Sequence, residues 1–211
     1  MLPGVSDEVL QRRFQYETEG IDVEGVDPDP LVQFDRWFVE AAVDIDEANA
    51  MVLSTVGPQG PSSRAVLLRS FREGRFVFFT NRSSRKGDDI AFDDRVALLF
   101  PWFVHHRQVR ITGRASAVAE EESDAYFAGR PRDSQAGAVA SPQSKPIPGR
   151  EWLEQRVTEI LSGPITRPEH WGGYAVAPSS FEFWQGRSGR LHDRIRYTAY
   201  GPDWKIERLA P

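Results

Sequence analysis

The chain contains no cysteine at all. That absence excludes disulfides, thiolate nucleophiles and cysteine-ligated metals together. No stretch approaches the roughly 20 apolar residues that a membrane helix needs. The first residues also lack the basic start and apolar run of a secretory leader, so a cytoplasmic protein with no membrane partner is expected. No internal repeat and no low-complexity segment breaks the 211 residues, a length that suits one sizeable domain. Histidine is scarce, and the adjacent pair His105-His106 would diverge on a strand with no evident carboxylate partner. No metal site is expected.

The net charge of −5 conceals an asymmetry. Residues 1–50 hold 13 acidic and 3 basic residues, whereas residues 51–211 hold 18 and 23. A nucleic-acid binder would carry a dense Lys/Arg stripe. The acidic leader and the scattered arginines fit small anionic ligands better, so no nucleic-acid partner is expected.

An apolar fraction of 40% with 11% aromatics is ordinary for a folded globular chain. Residues 1–28 are polar, acidic and poor in pattern, which reads as a mobile arm with a short helix around Asp7–Tyr16. Residues 29–211 read as one domain. Asp29-Pro30 offers a capping carboxylate and a first-turn proline, and Leu31, Phe34, Trp37, Phe38 and Ala41 follow at helical spacing. Strands are expected at Met51–Val56, Ser63–Ser70, Arg75–Thr80, Arg95–Phe100, Gln108–Val118, Trp171–Ala177, Ser180–Trp184, Arg194–Tyr200 and Trp204–Leu209. Gly57–Pro61 reads as a hairpin connection. Helices are expected at Ser84–Phe92, Glu120–Ala128 and Glu151–Leu161. This pattern predicts a mainly β fold with peripheral helices (α+β), built around a barrel.

Three clusters carry the chemistry. Phe183–Arg194 places an aromatic pair, arginines and His192 on twelve residues. Tyr126–Gln135 sets arginines beside hydroxyls, the groups that surround a phosphate monoester. Asn81–Gly87 combines serines and cations just before a helix, whose free N–H groups favour anions. Each has a plainer reading: solvated arginines on a loop, a core position for Trp184, a structural role for His192, a simple helix cap for Ser83-Ser84. Arg64 and Arg69 lie five apart, so on a regular strand they point to opposite faces. Sharing a pocket would need a bulge, or ligands in different subunits.

Arg130-Pro131-Arg132-Asp133-Ser134-Gln135, Phe183-Trp184-Gln185-Gly186 and Arg190-Leu191-His192-Asp193-Arg194 occur in this order. With them the chain resembles the pyridoxine/pyridoxamine 5′-phosphate oxidase family from Asp29-Pro30-Leu31 to its last residues. The resemblance implies a split β-barrel and a homodimer that holds flavin mononucleotide (FMN) at the subunit interface. It implies FMN contacts from Arg64, Ala65, Val66, Leu67, Leu68, Phe79, Thr80, Arg85, Lys86, Gln108, Gln143, Ser144, Trp184 and Arg194. A small phosphorylated pyridine would be bound by Arg69, Tyr126, Arg130 and Ser134, with the catalytic pair Arg190 and His192 over its ring. Arg13 and Tyr16 match a leader position that can fold over the substrate.

The implied reaction is oxidation of a C4′ alcohol or amine to the aldehyde. Hydride passes to flavin N5 and O2 takes up the electrons, giving hydrogen peroxide and, from the amine, ammonia. Three positions depart from the family's pattern: Arg69 replaces a lysine, Phe79 a tyrosine and Val139 a tryptophan, the last expected to widen the pocket. A flavin oxidase of the phenazine type, or a non-catalytic module binding flavin or pyridoxal phosphate, are the competing readings.

Overall fold

The protein, as a computed structural model, is described for Gln11 and residues 15–211. The helix expected around Asp7–Tyr16 falls largely outside these residues, as does Arg13. Residues 15–22, which include Tyr16, have no regular secondary structure.

Helix α1 (Pro30–Asp44) starts where the capping signal lies, with the Asp29 carboxylate accepting the Leu31 N–H at 2.8 Å. It buries Phe34, Trp37 and Ala41 against the sheet. β1 (Ala50–Gly57) and β2 (Gly60–Leu67) form a hairpin in which Gly57 faces Gly60, a tighter connection than expected. Then follow β3 (Phe76–Asn81), α2 (Arg85–Phe92), β4 (Arg95–Trp102), β5 (Arg107–Ala117) and α3 (Glu120–Ala128). The chain continues through α4 (Arg132–Ala140), α5 (Arg150–Leu161), β6 (Trp171–Gln185), β7 (Asp193–Tyr200) and β8 (Asp203–Arg208).

Every strand pair is antiparallel, in the order β2-β1-β4-β5-β6-β7-β8, and β3 also pairs with β6. Past the end of β2, Ser70 bridges Val77 of β3. There the Arg69 N–H reaches Val77 O at 2.8 Å and the Val77 N–H reaches Ser70 O at 2.7 Å. This short bridge closes a ring of six strands. The second half of β6 leaves the ring to pair with β7 and β8, which splits the barrel. The expected mainly β class with peripheral helices is the observed one.

Two expected elements differ. The strands at Trp171–Ala177 and Ser180–Trp184 are one strand, β6, carried past its proline by a bulge. Opposite β5 the pairing jumps from Thr112↔Ser180 to Gly113↔Pro178, so Ser179 is the extra residue and Pro178 needs no ladder donor. Gly113 is required there, since a Cβ would lie 2.2 Å from Ala177 O. Helix α4 was not expected. Its sequence of alanines and glycine has no apolar stripe to read, and only Ala136 and Ala140 are buried.

The barrel interior is aromatic. Phe34 is fully buried and meets Phe71, Phe76 and Phe100 edge-to-face at centroid distances of 5.0–5.1 Å. Phe34→Ala is expected to destabilise the protein by about 3–5 kcal/mol, because the surrounding strands cannot collapse into the space left. Chemical denaturation checks this; a loss below about 1 kcal/mol would mean that α1 does not seal the barrel.

Candidate active site

A cavity of about 540 Å³ opens between the end of β2, β3, α3, α4 and the start of β6. Ala65, Val66 and Leu67 form one wall, and Phe79 and Thr80 of β3 contribute another.

One end is built on the start of α2. The buried Ser84 hydroxyl donates to Asn81 O at 2.7 Å and accepts Lys86 Nζ at 2.9 Å. Lys86 Nζ also donates to Gln143 Oε1 at 2.8 Å, which accepts from Thr80 Oγ1 as well. Burial, reinforced by the nearby Arg64 charge, brings Lys86 down to about 8. Arg64 lies beside Lys86 rather than on the cavity wall. It donates to Leu53 O, Thr55 Oγ1 and Ser62 Oγ at 2.8–3.0 Å and stands 3.6 Å from Asp89. Burial lowers the Arg64 pKa, Asp89 opposes that and the Arg85 charge adds to it. Arg64 thus has one buried carboxylate, Asp89, as its counter-charge, with the Lys86 ammonium close by. Asp89, fixed by the Thr55 hydroxyl at 2.6 Å, is a residue that sequence reasoning missed. Nothing in its local pattern separates it from an ordinary helix-surface acid.

The other end is an aromatic stack with cations on it. Phe79 and Tyr126 stack at 3.9 Å and 7°, and Trp171 extends the stack at 5.6 Å from Phe79. The Arg130 guanidinium lies 4.8 Å over Trp171 and that of Arg69 lies 5.9 Å over Tyr126. Arg130 Nη1 is buried without a hydrogen-bond partner. Burial lowers the Arg130 pKa, with Tyr126 opposing and Arg69 reinforcing the shift. Ser134, in the first turn of α4, completes this end. Two cations, a phenol, a hydroxyl and an orphaned donor make an anion site. Trp171 was not singled out from the sequence, where it reads as the apolar start of a strand.

Arg64 and Arg69 stand at different ends of the cavity: Arg64 lies beside Lys86 off the wall, and Arg69, past the end of β2 at Leu67, lines the wall over Tyr126. Leu68 is buried in the core, its N–H bonded to Asn49 O and its carbonyl to Asn49 Nδ2. It has no free group to offer the cavity. Val139 lines a separate space of about 400 Å³ and does not widen this one. Arg85 and Ser144 are exposed and lie off the cavity wall.

The remaining predicted residues form a second group. Gln108, Trp184 and Arg194 face each other in register across β5, β6 and β7. The His192 ring lies 4.6 Å from that of Trp184 and accepts the Arg187 N–H on Nδ1 at 3.1 Å. Burial, then the Arg190 charge, lowers the His192 pKa. Both causes favour the neutral ring, and accepting on Nδ1 leaves its proton on Nε2. Arg190 is exposed on a tight turn with φ of 60°. Arg194 donates to the buried Glu182 and to Ala210 O, both at 2.9 Å. None of these five residues lines the cavity. Trp171 and Trp184 lie near opposite ends of the 15-residue β6, separated by as much as roughly 40 Å along an extended strand. Within one chain the two groups lie apart.

No described helix is long and apolar enough to cross a membrane, and the described residues hold no cluster of three metal-ligating side chains. Residues 38–162 match the family profile described as pyridoxamine 5′-phosphate oxidase. Residues 171–211 match the one described as the pyridoxine 5′-phosphate oxidase C-terminal dimerisation region. A pyridoxine/pyridoxamine 5′-phosphate oxidase from Rubrobacter xylanophilus is 51% identical over the whole of both chains. One from a Nostoc species is 50% identical, covering 96% of this chain and 98% of the relative. Among solved structures, PhzG from Burkholderia lata in complex with tetrahydrophenazine-1-carboxylic acid superposes with a TM-score of 0.87. It is 31% identical and covers 94% of this chain and all of that one. Family profiles and full-length relatives agree: the chain belongs to the pyridoxamine 5′-phosphate oxidase family.

Proposed function

We propose that the protein is an FMN-dependent oxidase that converts pyridoxamine 5′-phosphate, pyridoxine 5′-phosphate or both to pyridoxal 5′-phosphate, with O2 as electron acceptor. The observation that carries this reading is the anion site at the aromatic end of the cavity. Arg130 Nη1, buried without a partner, needs the oxygen of a ligand. Arg69, Tyr126 and Ser134 stand around it, as a phosphate monoester requires. A module that only carried flavin would not need this second anion site.

The opposite end fits the phosphate of FMN, since Arg64, Arg85 and Lys86 outnumber Asp89 as the buried counter-charge. When bound, FMN supplies a hydride acceptor at N5 and passes the electrons to O2, giving hydrogen peroxide. The chain's own residues position the reactants. The phosphate grip of Arg69, Tyr126, Arg130 and Ser134 fixes the substrate's distal end. His192, neutral and donating from Nε2, orients the pyridine substituents. Arg190, exposed and free to swing, acts beside C4′. Neither has to be a strong base, because hydride departure carries most of the chemistry.

The two separated groups support a homodimer in which Gln108, Trp184, Arg190, His192 and Arg194 of one subunit complete the cavity of the other. The match of residues 171–211 to a dimerisation region supports the same assembly.

Purified protein loaded with FMN should form aldehyde from either phosphorylated substrate; no turnover with bound flavin would sink the proposal. Oxidation of tetrahydrophenazine-1-carboxylic acid alone would favour the phenazine-type alternative, which the likeness to PhzG keeps in view. Arg190→Ala should leave FMN bound and slow turnover by about 10²-fold or more. Co-expressing Arg130→Ala with Arg190→Ala chains should restore about a quarter of the normal activity, because each mixed dimer contains one intact shared site. Activity no higher than that of either variant alone would place both residues in one subunit's site.

Lys86 gives a pH signature. Unliganded, it loses its proton at about pH 8; a phosphate dianion beside it favours the charged form and raises that value. The complex then holds more protons than the free protein above pH 8, so FMN affinity falls as pH rises from there, by up to about tenfold per unit. Fluorescence titration should show this slope for FMN and its absence for riboflavin or in Lys86→Met.

A further inference from the structure

Asp193 belongs to the strongest sequence motif, yet the chemistry proposed above leaves it without a task. Its carboxylate collects three donors. Oδ2 accepts the Ile21 N–H at 3.2 Å and Arg187 Nη1 at 3.4 Å, and Oδ1 accepts Arg208 Nη1 at 2.6 Å. Arg208 Nη2 in turn donates to Ile21 O at 2.9 Å and stands 3.1 Å from Asp22 Oδ1. The backbone of one residue, Ile21, is thus gripped through both its N–H and its carbonyl by an ion pair from β7 and β8. Just before it, Gly20 passes so close that a Cβ would lie 2.7 Å from Asp193 Oδ2 and 1.8 Å from Arg187 Nη1.

The gripped segment leads to the group that carries Arg190 and His192. Thr18 donates its hydroxyl to Gly186 O. The Tyr16 ring lies 4.5 Å from that of His106, 5.8 Å from His192 and 6.2 Å from Trp184, edge-on to the last. Residues 15–22 have no regular secondary structure to hold them there. A segment with so few backbone bonds opens at little cost unless side chains tie it down. Charge-assisted bonds are the strong ones available, and Asp193 and Arg208 supply them.

We propose that Asp193 and Arg208 are positioning residues that clamp the Ile21 backbone and thereby hold Tyr16 against His192 and Trp184, making residues 15–22 part of the substrate wall. Neither residue touches the reacting atoms. The clamp acts on substrate binding more than on the chemical step, and it works through Tyr16.

The test uses the FMN-loaded full chain, and its kinetic arm rests on the oxidase reading. Arg208→Gln keeps a neutral donor but loses the ion pair. Amide exchange across residues 15–22 should quicken by about 10-fold or more while the barrel strands keep their protection. KM for pyridoxamine 5′-phosphate should rise about tenfold with kcat changed less than about threefold, and Arg208→Lys should recover part of that loss. Tyr16→Ala should raise KM in the otherwise unaltered enzyme but add nothing to Arg208→Gln, because the two changes break one device. Unchanged exchange in Arg208→Gln would overturn the clamp, as would an undiminished Tyr16→Ala effect in that background. If Arg208→Gln does not fold, Asp193→Asn is read by the same exchange criterion. Absence of turnover in the unaltered holoenzyme would defeat the oxidase reading, and exchange alone would then decide the clamp.

Discussion

Guanidinium and ammonium groups taken out of water need negative charge near them, and the cavity sets the buried Lys86 and the half-buried Arg64 and Arg130 against a single buried carboxylate, Asp89. Asp89 is the buried carboxylate facing Arg64, and Lys86 is held by neutral acceptors, Ser84 and Gln143. At the other end of the cavity Arg130 is stacked on Trp171 with one nitrogen unsatisfied. Desolvated charges of this kind cost several kcal/mol unless paired. The depression of Lys86 to about 8 is the same cost seen as a titration. A fold that keeps such an arrangement is organised for anions from outside. Two such ends in one cavity suit two phosphates, with the aromatic stack forming the Arg130 end.

The barrel makes that arrangement possible by forking one strand. β6 pairs with β3 along its first half and with β7 along its second. The first half brings Trp171 to the cavity, and the second aligns Trp184 with Gln108 and Arg194. The bulge at Pro178 and Gly113 lets a single strand serve both partners. The fork sets the two groups at opposite ends of one strand, which is why the proposed homodimer draws them from different subunits.

Much of the frame was legible in the sequence because local rules govern it. The Asp29 cap, the apolar stripe of α1, the β1–β2 hairpin and helix α3 follow from capping, period and turn chemistry. Helix α4 was not legible, because its burial depends on two alanines and its small residues carry no period. The unity of β6 was hidden by Pro178, which reads as a break unless the bulge opposite Gly113 is known. In the site, Arg130, Ser134, Lys86 and the Trp184–His192 pair were found through motif resemblance rather than physics. Asp89, Thr55 and Glu182 were missed for a common reason. Each acts by orienting an arginine on another element, Arg64 or Arg194, and pairing between elements leaves no trace in the local pattern.

The same distinction applies to the acidic leader. Its composition reads as a mobile arm, and residues 15–22 have no helix or strand. Yet Asp22 and the Ile21 backbone meet Arg208, three positions before Pro211, close beside the His192 motif. An acidic segment next to a cationic body is drawn in by charge, but attraction over a broad surface does not fix a ring in place. Fixing it takes directional bonds to particular backbone atoms, which Asp193 and Arg208 make to Ile21. Charge asymmetry along the sequence therefore accounts for the leader's approach. The two-sided grip on one residue accounts for where Tyr16 comes to rest.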